Sequence, residues 1–199
     1  KDAAPLVDVQ YEPLASVTDV IAAQADDAPL VHEGFETNDS YTWEMSAGEV
    51  DEVFANADVV VKERYRQQRL VPNAMEPRAV VAESIGSTGE LTLTTTSQIP
   101  HVLRTTLSGV LGMPEAKLRV IAPDVGGGFG SKLDVYAEEA LCLALARRLG
   151  RPIKWVEERS EGFLATIHGR DVVQDIELAA TSEGKITGVR AKLTAAMGA

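Results

Sequence analysis

Four of the five positions from Gly126 to Gly130 are glycine, within the run Asp124-Val125-Gly126-Gly127-Gly128-Phe129-Gly130-Ser131-Lys132. Backbone N–H groups with no Cβ beside them can converge on an anion without help from a charged side chain, and Lys132 could add one positive charge. The run therefore reads as a cradle for the pyrophosphate-bearing part of a large cofactor. The plain alternative is a tight turn with no ligand. A P-loop does not fit, because Leu133 follows Lys132 where a hydroxyl residue is required. A Rossmann fingerprint fits imperfectly: counted from Gly126 its third glycine falls on Ser131, and counted from Gly128 on Leu133. Glu157 and Glu158 could still serve as the ribose-binding acids of such a unit, although they lie further on than the roughly 20 residues expected.

The elements around this loop are legible from pattern. Leu118 to Ala122 is a β-branched strand leading into it, Asp134 to Leu149 a helix stopped by Gly150 and Pro152, and Ile153 to Glu157 the next strand. Upstream, Pro100 opens a helix carrying Val102, Leu103, Leu107, Val110 and Leu111 at helical spacing, ended by Gly112 and Pro114. Residues 57–66, 79–84 and 91–96 are β-branched runs that form a sheet. Ile176 to Ala180 and Ile186 to Leu193 flank Ser182-Glu183-Gly184-Lys185 as a hairpin. Leu6 to Leu14 alternates like a short strand, and residues 29–40 are polar and turn-rich, placing a boundary there. The fold class is α+β, with mixed sheets and packed helices.

Composition narrows the function. The chain has 199 residues, 45% hydrophobic and 25% charged, within the range of ordinary globular domains. A net charge of -11 argues against a nucleic-acid surface. Arg64, Arg66 and Arg69 alternate along a strand and read as a solvated face. The single cysteine, Cys142, excludes an intrachain disulfide or a cluster held by this chain's own thiolates. No apolar run reaches the roughly 18 residues of a membrane span, and no leader precedes Lys1; a soluble, cytoplasmic protein is expected. His32, His101 and His168 lack a second ligand at metal-binding spacing, Trp43 and Trp155 read as core, and Glu138 and Glu139 as acids favoured by a helix start.

A second motif gives the loop a context. Thr95-Thr96-Ser97-Gln98-Ile99-Pro100-His101 precedes Val125-Gly126-Gly127-Gly128-Phe129-Gly130-Ser131-Lys132 by about two dozen residues. In this order the pair resembles the molybdenum-binding large subunit of the xanthine dehydrogenase, aldehyde oxidase and carbon monoxide dehydrogenase family. The resemblance covers nearly the whole chain. It implies that residues 1–33 are the tail of a hammerhead-like domain and residues 34–199 a first molybdopterin-binding domain, incomplete at its C-terminal end.

The resemblance further implies that Gln98 hydrogen-bonds a ligand of molybdenum, and that Phe129 and Gly130 offer N–H groups to the metal's apical oxygen and the pterin phosphate. Gly127, Gly128 and Ser131 would complete the cofactor contacts. No residue would ligate the metal directly. A helix cap before Pro100 is the other role open to Gln98. The implied cofactor is molybdopterin cytosine dinucleotide, with iron–sulfur and FAD groups on a small and a medium partner subunit, besides the remainder of the large subunit and a small-molecule substrate. The implied reaction oxidises an aldehyde, an N-heterocycle or carbon monoxide with water as oxygen source, and its base is expected beyond Ala199. Leu133 stands where purine-oxidising relatives carry glutamate, which disfavours a purine. Glu76 and Arg78 read as a turn held by a local ion pair. A Rossmann-type NAD(P)-dependent oxidoreductase and a non-catalytic interaction module are the competing functions.

Overall fold

Val80 and Ala82 on β2 (Ala79–Ile85) and Leu91 and Leu93 on β3 (Glu90–Thr95) are buried while their neighbours are less so, the period-two signature of a half-covered sheet. The two strands pair antiparallel from Val80↔Thr95 to Ile85↔Glu90. Short β4 (Leu118–Ile121) runs parallel to β3, and β5 (Ile153–Val156) antiparallel to β2, giving the order β4-β3-β2-β5. Helices α2 (Pro100–Val110) and α3 (Ala137–Leu149) close the core with Leu103, Leu107, Cys142, Leu143 and Ala146. Pro100 occupies the first turn of α2, where its missing N–H costs nothing, and Gly150, at φ 61°, ends α3 in the left-handed conformation.

This computed structural model describes residues 6–197, in two units. The unit just outlined spans residues 69–169 and ends with a short helix, α4 (Arg159–Ala165). The other combines residues 6–68 with residues 170–197. It holds α1 (Val50–Ala55) and a sheet of order β1-β6-β7, from β1 (Val59–Leu70), β6 (Gly169–Ala180) and β7 (Ile186–Ala195). β6 and β7 form the expected hairpin, closed by Thr181 N–H donating to Lys185 O at 2.9 Å. Arg64 grips Asp175 through two nitrogens and Lys62 reaches Glu177 at 2.8 Å, so the basic run is a solvated, ion-paired face. Asp19 accepts hydrogen bonds from Ala22 N–H, Arg66 and Ile21 N–H, which lower its pKa to about 2.

Four local readings change. The three β-branched runs do not share one sheet, because β1 pairs with β6 while β2 and β3 belong to the other sheet. Residues 7–19 form no strand; alternation alone is not enough without a partner edge to supply hydrogen bonds. Trp43 is 65% exposed rather than core, whereas Trp155 packs against the core cluster. The strand–loop–helix–strand order around the glycines does not build a Rossmann unit, because β4 and β5 lie at opposite edges of the sheet with the antiparallel pair β2 and β3 between them. A dinucleotide fold needs those two strands in one parallel sheet beside the glycine turn.

Candidate cofactor-binding site

Two segments outside the glycine loop shape it. One is the end of β3 with its extension, where Thr95, Thr96 and Ser97 are buried. Thr96 Oγ1 accepts the Ala79 N–H at 3.1 Å and Thr95 Oγ1 donates to Glu139 at 3.1 Å. Gln98 follows, and its backbone N–H donates to Lys132 O at 2.8 Å. Its side chain does not cap α2: Ser97 Oγ accepts the Ile99 N–H at 3.1 Å, and Gln98 Oε1 accepts the Gly130 N–H at 3.1 Å and the Lys132 N–H at 3.3 Å. The carboxamide oxygen is thereby occupied, which leaves Nε2 as the donor this side chain can offer.

The second segment is Asn73 to Arg78. Glu76 Oε2 accepts the Gly126 N–H at 2.7 Å and Lys132 Nζ at 2.9 Å. Lys132 is therefore buried in an ion pair and its charge does not face the cradle. The Lys132 ammonium, helped by the Gly126 N–H, holds the Glu76 carboxyl below its usual range. Glu76 and Arg78 do not pair with each other. Arg78 is buried and binds Glu157 at 2.8 Å and Glu138 at 3.3 Å, with its guanidinium 3.7 Å from the Tyr136 ring centre. Burial opposes its charge, but the two carboxylates outweigh that and raise its pKa. Glu157 is thus part of a buried pair. Arg159 of α4 fastens the segment from its other side through Asn73 Oδ1, Ala74 O and Met75 O, at 2.7, 2.6 and 3.2 Å.

Between these supports the loop adopts a nest-like turn, with φ 94° at Gly127, 53° at Phe129 and 96° at Gly130. Ser131 is buried, and both its N–H and its hydroxyl donate to Gly128 O, at 3.0 and 3.1 Å. Tyr136 donates its hydroxyl to Ser131 O at 2.6 Å. A Cβ on Gly126 would stand 2.6 Å from Glu76 Cβ, and one on Gly128 would overlap the Gln98 carboxamide. Gly130 departs from expectation: its N–H is given to Gln98, which lies against the loop, and not to an outside oxygen. The N–H groups of Gly127, Gly128 and Phe129 have no acceptor among the described residues. Three successive amides and one carboxamide N–H can together receive a ligand rich in oxygen acceptors.

Sequence reasoning found Gln98 and the loop but missed Tyr136, Glu138 and Arg159 as their supports. The only signal for them was the segment around Glu76 and Arg78, since the partners of Glu138 and Arg159 lie 60 and 86 positions away in the chain.

The model of the molybdopterin cofactor-binding domain matches residues 31–199. The chain belongs to this family. Over all its residues this molybdopterin-binding chain is 40% identical to the carbon monoxide dehydrogenase large chain of Afipia carboxidovorans, spanning 26% of that protein. The nicotine 6-hydroxylase large subunit of Paenarthrobacter nicotinovorans is 37% identical across 96% of the chain and 23% of the relative. The crystal structure of quinoline 2-oxidoreductase from Pseudomonas putida 86 superposes with a TM-score of 0.89 at 33% identity, over 96% of this chain and 24% of that one. The chain spans about a quarter of the length of these relatives and corresponds to part of a molybdenum hydroxylase large subunit.

Proposed function

We propose that the glycine loop and Gln98 hold the molybdenum-bearing end of a molybdopterin cofactor, in its cytosine dinucleotide form, within a parent enzyme that hydroxylates or oxidises a small molecule with water as oxygen source. The observation that carries the reading is the row of unpaired N–H groups at Gly127, Gly128 and Phe129 beside a carboxamide whose oxygen is already occupied. These residues fit such a group. A phosphate-bearing, oxygen-rich ligand needs donors and no added bulk, and the nest supplies donors without side chains.

When bound, the cofactor supplies the two-electron chemistry, and the protein's share is binding, orientation and electrostatics. Gln98 contributes through Nε2, since the Gly130 and Lys132 amides hold its oxygen inward. Gly127, Gly128 and Phe129 contribute backbone N–H groups. Gly130 and Ser131 keep the turn closed, Gly130 through Gln98 and Ser131 through the Gly128 carbonyl. No residue of this chain is assigned as catalytic base, and the base belongs to the part of the large subunit beyond Ala199. Residues 1–33 are the tail of a hammerhead-like domain, and iron–sulfur and FAD subunits carry the electrons away in the cytoplasm.

The named relatives act on carbon monoxide, nicotine and quinoline, which supports an N-heterocycle or carbon monoxide as substrate; an aldehyde stays within the reading through the family resemblance alone. Metal analysis of the native complex tests it: molybdenum is expected in stoichiometric amount, and Gln98→Ala should lower it. A native complex without molybdenum overturns the reading.

A further inference from the structure

Glu76 touches the glycine loop at both ends. Its own N–H donates to Gly126 O at 3.2 Å, its Oε2 accepts the Gly126 N–H, and the same oxygen takes Lys132 Nζ six positions further on. Lys132 in turn holds Gln98 twice through its backbone, accepting the Gln98 N–H on its carbonyl and giving its own N–H to Oε1. The Lys132 side chain is 2% exposed and that of Glu76 36%. A lysine beside a phosphate cradle would ordinarily serve as a point charge for the ligand. Here its charge is turned inward and cancelled.

We propose that Glu76 and Lys132 are positioning residues: Glu76 ties down the start of the loop at Gly126, and by neutralising Lys132, whose backbone holds Gln98, it keeps a lysine charge off a cradle that works by backbone N–H groups and the Gln98 carboxamide. Gly126 is part of the same device, because the close approach of Glu76 leaves no room there for a Cβ. A buried lysine without its carboxylate would be an uncompensated charge and would be drawn toward the next available anion, which is the cofactor. The proposal rests on the cofactor reading given above.

The test uses the complete complex with two versions of the large subunit. Glu76→Gln keeps an acceptor for the Gly126 N–H but strands the Lys132 charge. The double variant Glu76→Gln with Lys132→Met removes both charges at similar volume and buries no lone ion. Molybdenum per large subunit and the paramagnetic resonance spectrum of the partly reduced complex are measured on the assembled fraction from size exclusion. Glu76→Gln is expected to lose about tenfold in molybdenum content, as changes to the residues that orient a metal site do, or to shift the spectrum of what it retains. The double variant should recover both.

Wild-type content and spectrum in Glu76→Gln, with only the melting temperature lowered, would mean the pair is merely structural and overturn the proposal. Loss of molybdenum from the double variant overturns it as well, and decides the matter if the single variant does not assemble. A wild-type complex lacking molybdenum would instead remove the cofactor reading beneath it.

Discussion

Gly126 and Gly128 lie against Glu76 and Gln98, two side chains that come from 50 and 30 positions upstream. A methyl group at Gly128 must push the carboxamide aside and break its bonds to Gly130 and Lys132. Gly130 is different: nothing lies within 4 Å of a Cβ there, but its φ of 96° strains any other residue, at roughly 1–2 kcal/mol. Gly128→Ala is therefore expected to lower the molybdenum content of the parent complex far more than Gly130→Ala, while Gly130→Ala mainly lowers its melting temperature. Equal loss in both, by metal analysis and calorimetry, would remove the distinction. The glycine count itself was plain in the sequence. That two of the glycines make room for side chains rather than for a ligand was not, since those contacts are made across the fold and leave no mark in local spacing.

At the level of elements, the start of α3 buries a carboxylate, Glu139. Glu139 accepts hydrogen bonds from Tyr136 N–H and Thr95, yet burial still pushes its carboxyl above the ordinary 4.5. A raised carboxyl costs stability when ionised, so the penalty is absent below that ordinary value, grows as pH rises through the folded one and is complete above it. Glutamine can serve both partners with its oxygen and its NH2 group. Glu139→Gln should thus be neutral or stabilising at pH 7, with an advantage that shrinks toward pH 4; thermal melts across that range check it, and a destabilised variant at pH 7 would contradict it. Arg78 behaves in the opposite sense. Removing it leaves Glu157 buried without its cation, and Arg78→Ala should cost about 3–5 kcal/mol by urea denaturation.

The strands and long helices of this region follow from alternation and from Pro100 and Gly150 at helix ends, which is why they were legible. Short α1 and α4 were not, because six or seven residues carry too little periodicity. The order of strands in the sheet was hidden for another reason. The β4–loop–α3–β5 succession is locally that of a dinucleotide fold, and only the non-local insertion of β3 and β2 between the two strands separates them.

For the molecule as a whole, the balance lies between apolar exposure and charge. All twelve residues of β1 are exposed, and β1 and β7 are the open edges of a three-stranded sheet, the kind of edge that invites pairing with another chain. In the other unit Met75, Leu164 and Phe129 are 92%, 89% and 76% exposed. In relatives some four times as long, further chain is available to cover such faces. The isolated chain should therefore bind a hydrophobic dye and self-associate, whereas the full large subunit should do neither. The isolated chain's net charge of -11 opposes that association by mutual repulsion. The screening length falls from about 10 Å at 0.1 M salt to about 3 Å at 1 M, so added salt should drive the chain from monomer toward larger species. Sedimentation velocity at the two salt concentrations reads this directly: an isolated chain that stays monomeric in both and leaves the dye dark would show that its exposed strands and apolar side chains need no cover.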